Sequence, residues 1–93
     1  MKVEEICSVL NGELVCGSDK LNREVTHAFA SDLMSDVLTV NCNNLLLITG
    51  LANLQTIRTA EMSDIDCILF VRNKSVTPEM ITLAEELGMT LIK

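Results

Sequence analysis

The second half of this chain alternates short apolar runs with segments of helical period, and this alternation restricts the fold more than any other feature. Leu45-Leu46-Leu47-Ile48-Thr49-Gly50 has the character of a buried strand and stops at glycine. Residues 53–63 carry helical spacing, and Cys67-Ile68-Leu69-Phe70-Val71 is a second apolar run. Thr77-Pro78 opens another helix, Gly88 closes it, and Met89 to Ile92 forms a third strand. Strands that are apolar throughout, with helices between them, belong in a mainly parallel sheet covered on both faces. The expected architecture is a three-layer α/β/α domain with a mainly parallel or mixed sheet. Ligands of such sheets gather beyond the carboxyl ends of the strands.

The first half is less regular. Residues 2–10 are expected to form an amphipathic helix that turns Val3, Ile6, Cys7 and Leu10 inward, with Asn11-Gly12 as its stop. A short strand over residues 13–16, a turn at Gly17-Ser18-Asp19 and a polar loop over 20–24 follow. Residues 25–30 read as a strand with Val25, His27 and Phe29 on one face and Thr26, Ala28 and Ala30 on the other. Ser31 is expected to cap a short helix, with Asp32 in its first turn and Leu33, Met34, Val37 and Leu38 inward. Asn41 to Asn44 is a polar break. The helix after Gly50 shows a narrow stripe of Leu54, Ile57 and Ala60. The last helix has Thr77 as its cap, Pro78 at its first position and Gly88 past its end, with Met80, Leu83, Ala84 and Leu87 inward.

Ninety-three residues suit one domain spanning 1–93, with a modest core that needs no staples. An apolar share of 48% is high for that size, so a partner surface is expected to cover part of it, most simply in a homodimer. A net charge of −6 with seven Lys plus Arg argues against nucleic acid, which requires a basic footprint. Two Phe with no Tyr or Trp also leave little for base stacking. No apolar run approaches the ~20 residues of a membrane span. Glu4 and Glu5 stand where a signal peptide carries its positive start, so the expected location is cytoplasmic. Cys7, Cys16, Cys42 and Cys67 form no C-x-x-C pair, and one histidine completes no zinc pattern. Reduced thiols acting as small apolar residues are expected, with no metal and no cofactor.

Two loops carry the candidate chemistry. Thr49-Gly50 ends a strand just before a helix, where backbone N–H groups can meet an anion, and Asn53 stands at that helix start. The plain alternative is a tight strand-to-helix turn. Arg72-Asn73-Lys74-Ser75 follows the next strand and, in a parallel sheet, leaves from the same edge. Two cations beside Asn73 and Ser75 can hold a phosphate or carboxylate, and the plain alternative is a solvated loop. His27, the lone histidine, shares its expected strand face with Val25 and Phe29, which favours a packed ring over a general base. Asp64 and Asp66 fall at the opposite edge and read as solvated turn residues. No Ser-His-Asp, Cys-His or H-E-x-x-H arrangement can be assembled, so no catalytic residue is assigned.

Residues 25–93 resemble a DRTGG domain, and are similar to the N-terminal domain of bacterial HPr kinase/phosphorylase. The blocks that carry the likeness are Leu47-Ile48-Thr49-Gly50, the helix ending Ala60-Glu61, and Cys67-Ile68-Leu69-Phe70. To these is added Thr77-Pro78-Glu79-Met80 leading into Leu83-Ala84-Glu85-Glu86-Leu87-Gly88. The chain departs from the signature that names the family. Val71-Arg72-Asn73 stands where Thr-Gly-Gly is expected, and Leu51-Ala52 where Asp-Arg is expected. The resemblance implies a non-catalytic regulatory or ligand-sensing module acting through a partner protein or as a dimer, and the Gly50 and Arg72 loops make an anionic metabolite or nucleotide its expected ligand. The alternative is a homodimeric adaptor without a small ligand.

Overall fold

A computed structural model of the chain describes residues 2–10, 12–17, 22–31, 44–71 and 76–93. Among these residues eight elements follow in chain order: α1 (Val3–Val9), β1 (Leu14–Cys16), β2 (His27–Ala30), β3 (Leu45–Thr49), α2 (Leu54–Met62), β4 (Cys67–Phe70), α3 (Pro78–Glu86) and β5 (Thr90–Ile92). The strands form one mixed sheet in the order β1-β5-β4-β3-β2. The pairs β2–β3, β3–β4 and β4–β5 are parallel, while β1 runs antiparallel along β5. The expected α/β architecture with a mainly parallel sheet is therefore present.

The layering follows from the apolar runs. Leu45, Leu47, Ile68, Phe70 and Leu91 point to one face, where they pack with Ile57 and Ala60 of α2 and Met80 and Ala84 of α3. Leu46, Cys67, Leu69 and Ile92 point to the other face and pack with Val3 and Ile6 of α1. Two successive crossovers moving the same way along the sheet thus place both helices on one side, as their shared handedness requires. β3 and β4 are buried on both faces, which is why their sequences do not alternate.

The helix ends are specified locally. Thr77 accepts a hydrogen bond from the Met80 N–H at 3.3 Å, Pro78 occupies the first turn, and Gly88 adopts a left-handed φ of 70° just past the end. Glu5 accepts from the Lys2 N–H at 3.0 Å and fixes the start of α1.

Four details differ from expectation. Val25 does not share a face with His27 and Phe29; it packs with Leu46 in the α1 cluster. The cause is an irregularity at the start of β2, where the N–H groups of Thr26 and His27 both donate to the Asn44 carbonyl, at 2.9 and 3.3 Å. Two residues thus oppose one, and the inside–outside alternation shifts by one position. His27 is consequently exposed rather than packed, with Nδ1 3.0 Å from the Thr26 hydroxyl. In α2 the buried face is Thr56, Ile57, Thr59 and Ala60, with the Thr56 hydroxyl satisfied by the Leu51 carbonyl, and Leu54 at the first helical position is left exposed. In α1 Leu10 is exposed and stands at the C-cap, where the helical stripe ends. The expected helix from Ser31, the turn at Ser18-Asp19, and Cys42 lie outside the described residues.

Candidate functional site

The four parallel strands β2, β3, β4 and β5 end on one rim. Thr49 of β3 stands in register with Phe70 of β4, and the Val71 N–H donates to the Thr49 carbonyl at 3.0 Å. On the other side of β3, the Ser31 N–H donates to the Ile48 carbonyl at 3.0 Å. The segments that leave β3 and β4 therefore emerge side by side. Arg72, Asn73, Lys74 and Ser75 continue the second of these segments and lie outside the described residues.

The segment after β3 is held by its own side chains. Thr49 is buried, and its hydroxyl accepts from the Leu51 N–H at 3.2 Å. Asn53 is the N-cap of α2: its Oδ1 accepts from the Thr56 N–H at 2.9 Å. The Thr56 hydroxyl donates to the Leu51 carbonyl at 2.8 Å and lies 3.1 Å from the same Asn53 oxygen. Thr49, Leu51, Asn53 and Thr56 thus form a small network that fixes the turn around buried Gly50. Both α2 and α3 begin at this rim, so the positive ends of two helix dipoles point toward it. No acidic residue occupies the first turn of α2, whereas α3 has Glu79 there.

The other titratable residues lie elsewhere. His27 starts β2 and so belongs to the opposite rim, as do Asp64 and Asp66 before β4. Asp66 is not simply solvated: it forms an ion pair with Arg23, and its carbonyl accepts from the Thr90 N–H at 2.8 Å. Asp64 occupies a left-handed turn with φ of 58°. The thiols of Cys7, Cys16 and Cys67 are free. Burial first, and then the neighbouring Asp66 carboxylate, push the Cys67 thiol up to about 12. Burial likewise raises Cys7 and Cys16, so all three stay protonated near neutrality and are weak nucleophiles. Among the described residues no three His, Cys, Asp or Glu side chains stand close enough to hold a metal ion. No helix among them is long and apolar enough to cross a membrane.

Sequence reasoning missed a groove of about 280 Å³ between α1 and β2. Ile6, Val9, Leu10, Val25, Ala28 and Leu46 line it, with Val9 69% and Leu10 53% exposed. Its signal was Val9-Leu10, two adjacent apolar residues at a helix end that one amphipathic stripe cannot bury together.

In a comparison against protein families, the DRTGG domain model matches residues 5–93. The chain belongs to the DRTGG domain family. The match takes in β1 and most of α1 as well as the later blocks, so the antiparallel β1 is part of the DRTGG unit. Comparison with curated proteins and with solved structures returns no match. Within this DRTGG domain, Leu51 and Ala52 fall in the turn held by Thr49, Asn53 and Thr56.

Proposed function

We propose that this DRTGG domain is a non-catalytic regulatory module that senses an anionic metabolite or nucleotide at the rim where β3 and β4 end. The contacts assigned to the ligand are the backbone at Thr49 and Gly50, the amide nitrogen of Asn53, and Arg72, Asn73, Lys74 and Ser75. The observation that carries this reading is the bond between Val71 N–H and the Thr49 carbonyl, which keeps the two loop exits adjacent. Two helix N-termini at that rim favour negative charge, and Arg72 and Lys74 are two of only seven cations in the chain. Because the Thr49 hydroxyl and the Asn53 oxygen already have partners, the basic segment supplies most of the specificity.

The test is thermal unfolding against nucleotides, phosphorylated metabolites and inorganic phosphate. A ligand at about a hundred times its Kd stabilises by about 2.7 kcal/mol, and Arg72→Ala abolishes that shift while leaving the unliganded melting temperature unchanged. Absence of any shift at millimolar concentration overturns the proposal. The α1–β2 groove favours one second reading, a protein-interaction adaptor without a small ligand, because Val9 and Leu10 are large apolar groups in contact with water. That reading requires partner binding that survives Arg72→Ala and is lost on Leu10→Asp.

A further inference from the structure

A second groove runs between α2 and α3 on the outside of the molecule, lined by Leu54 and Arg58 of α2 and Glu79, Thr82, Leu83 and Glu86 of α3. Leu54, Arg58 and Met62 follow at intervals of four and share one helical stripe; Glu79, Thr82, Leu83 and Glu86 do so on α3. Leu54 is 40% and Met62 74% exposed, which makes the α2 stripe apolar at both ends and cationic at its centre. Arg58, Glu79 and Glu86 are exposed, and none has an ion-pair partner among the described residues. The Thr82 hydroxyl donates to the Pro78 carbonyl of its own helix at 3.0 Å, so covering it strands no donor.

We propose that this groove is a two-fold interface between two copies of the chain. A net charge of −6 opposes self-association through an arbitrary part of the surface. Here the two signs are arranged on neighbouring helices that run the same way. A two-fold axis lying in the contact plane, parallel to the two helices, lays α2 of each copy along α3 of the other. Arg58 then falls between Glu79 and Glu86 of the other copy, and Leu54 and Met62 cover Pro78 and Leu83 in that order. Because the contact is isologous, both sets of pairings form together. The pairing uses no residue assigned to the rim ligand, so it stands or falls separately from that reading.

Sedimentation equilibrium of the full chain over a wide concentration range tests the proposal through charge reversal. The wild-type chain forms a dimer that dissociates on dilution. Arg58→Glu weakens it by about ten-fold or more, since two ion pairs become two repulsions, and the double substitution E79R/E86R does the same. A one-to-one mixture of R58E with E79R/E86R restores a heterodimer of wild-type strength, because each new carboxylate then meets the other variant's cations. Superimposable circular dichroism melting curves establish that the variants are folded, and Leu54→Asp serves as an uncharged-to-charged control that also weakens the dimer. A chain that stays monomeric at all concentrations overturns the proposal. So does a dimer indifferent to both reversals, or a mixture no tighter than its components.

Discussion

The N–H of Val71 donates to the carbonyl of Thr49 at 3.0 Å, one residue beyond the end of β4. The ladder between β3 and β4 therefore persists to the rim, and the two segments that follow cannot diverge before Gly50 and Arg72. In a parallel sheet this places successive loops in one neighbourhood without any sequence signature of their own. In this chain the segments that leave the rim carry Leu51-Ala52 and Arg72-Asn73-Lys74-Ser75.

Asn53 serves the fold whether or not a ligand is bound, because its Oδ1 caps α2 through the Thr56 N–H at 2.9 Å. Asn53→Ala is expected to cost about 1 kcal/mol, or roughly 4–8 °C in melting temperature for a domain of this size. Asn53→Asp keeps the acceptor, adds a favourable charge at a helix N-terminus, and should melt at or above the wild-type temperature. Calorimetry on the unliganded proteins checks both; an unchanged melting temperature for Asn53→Ala would contradict the capping role.

Gly17 and Thr90 form a close approach between the end of β1 and the start of β5. Gly17 has φ of 87°, and a Cβ added there would stand 2.6 Å from the Thr90 hydroxyl and 2.8 Å from its Cα. Gly17→Ala combines left-handed strain with overlap against backbone and should cost about 3 kcal/mol. The Thr90 hydroxyl is buried without a hydrogen-bond partner among the described residues. Thr90→Val removes that unpaired group at nearly constant volume and should stabilise the protein by about 1 kcal/mol. Urea midpoints measured on the two variants should move in opposite directions.

The thiol of Cys67 makes stability fall at alkaline pH. Its value rises from 9.0 to about 12 on folding, chiefly through burial. Between those values the unfolded chain has released the proton and the folded chain still holds it, so the folded state is progressively disfavoured as pH rises. Its contribution is fully present below pH 9. Urea unfolding at pH 8 and pH 10.5 should show the loss, and Cys67→Ala should flatten it. A thiol reagent should modify Cys67 in the folded protein far more slowly than in the unfolded one.

The parts of this structure that were legible in the sequence are those specified over short distances. β3, β4 and α3 were visible because uninterrupted apolar runs and the Thr77-Pro78 and Gly88 signals each act within a few residues. The pairing of Leu14 with Ile92 spans the chain, and only assembly of the sheet determines it. Likewise the ion pair between Arg23 and Asp66 joins segments with no local relationship. The faces of Val25 and His27 were misassigned because one carbonyl, that of Asn44, accepts from two consecutive N–H groups, and nothing in residues 25–30 marks the shift. Asn53 is different: an asparagine directly before a helical stripe is an N-cap signal that local reasoning can use. The candidate rim was legible in its location, since parallel order alone puts two loop exits together. Its chemistry was less so, because whether a threonine or asparagine faces a ligand or its own backbone depends on turn geometry.

The most direct test of the proposed sensing role is an amide-resolved magnetic resonance titration of isotope-labelled protein with nucleotides and inorganic phosphate. Saturable shifts are expected to cluster at residues 50–53 and 71–75, with the amides of His27, Asp64 and Asp66 unmoved. Spectra that stay unchanged at millimolar ligand, or shifts that gather at the α1–β2 groove or the opposite rim instead, would contradict it.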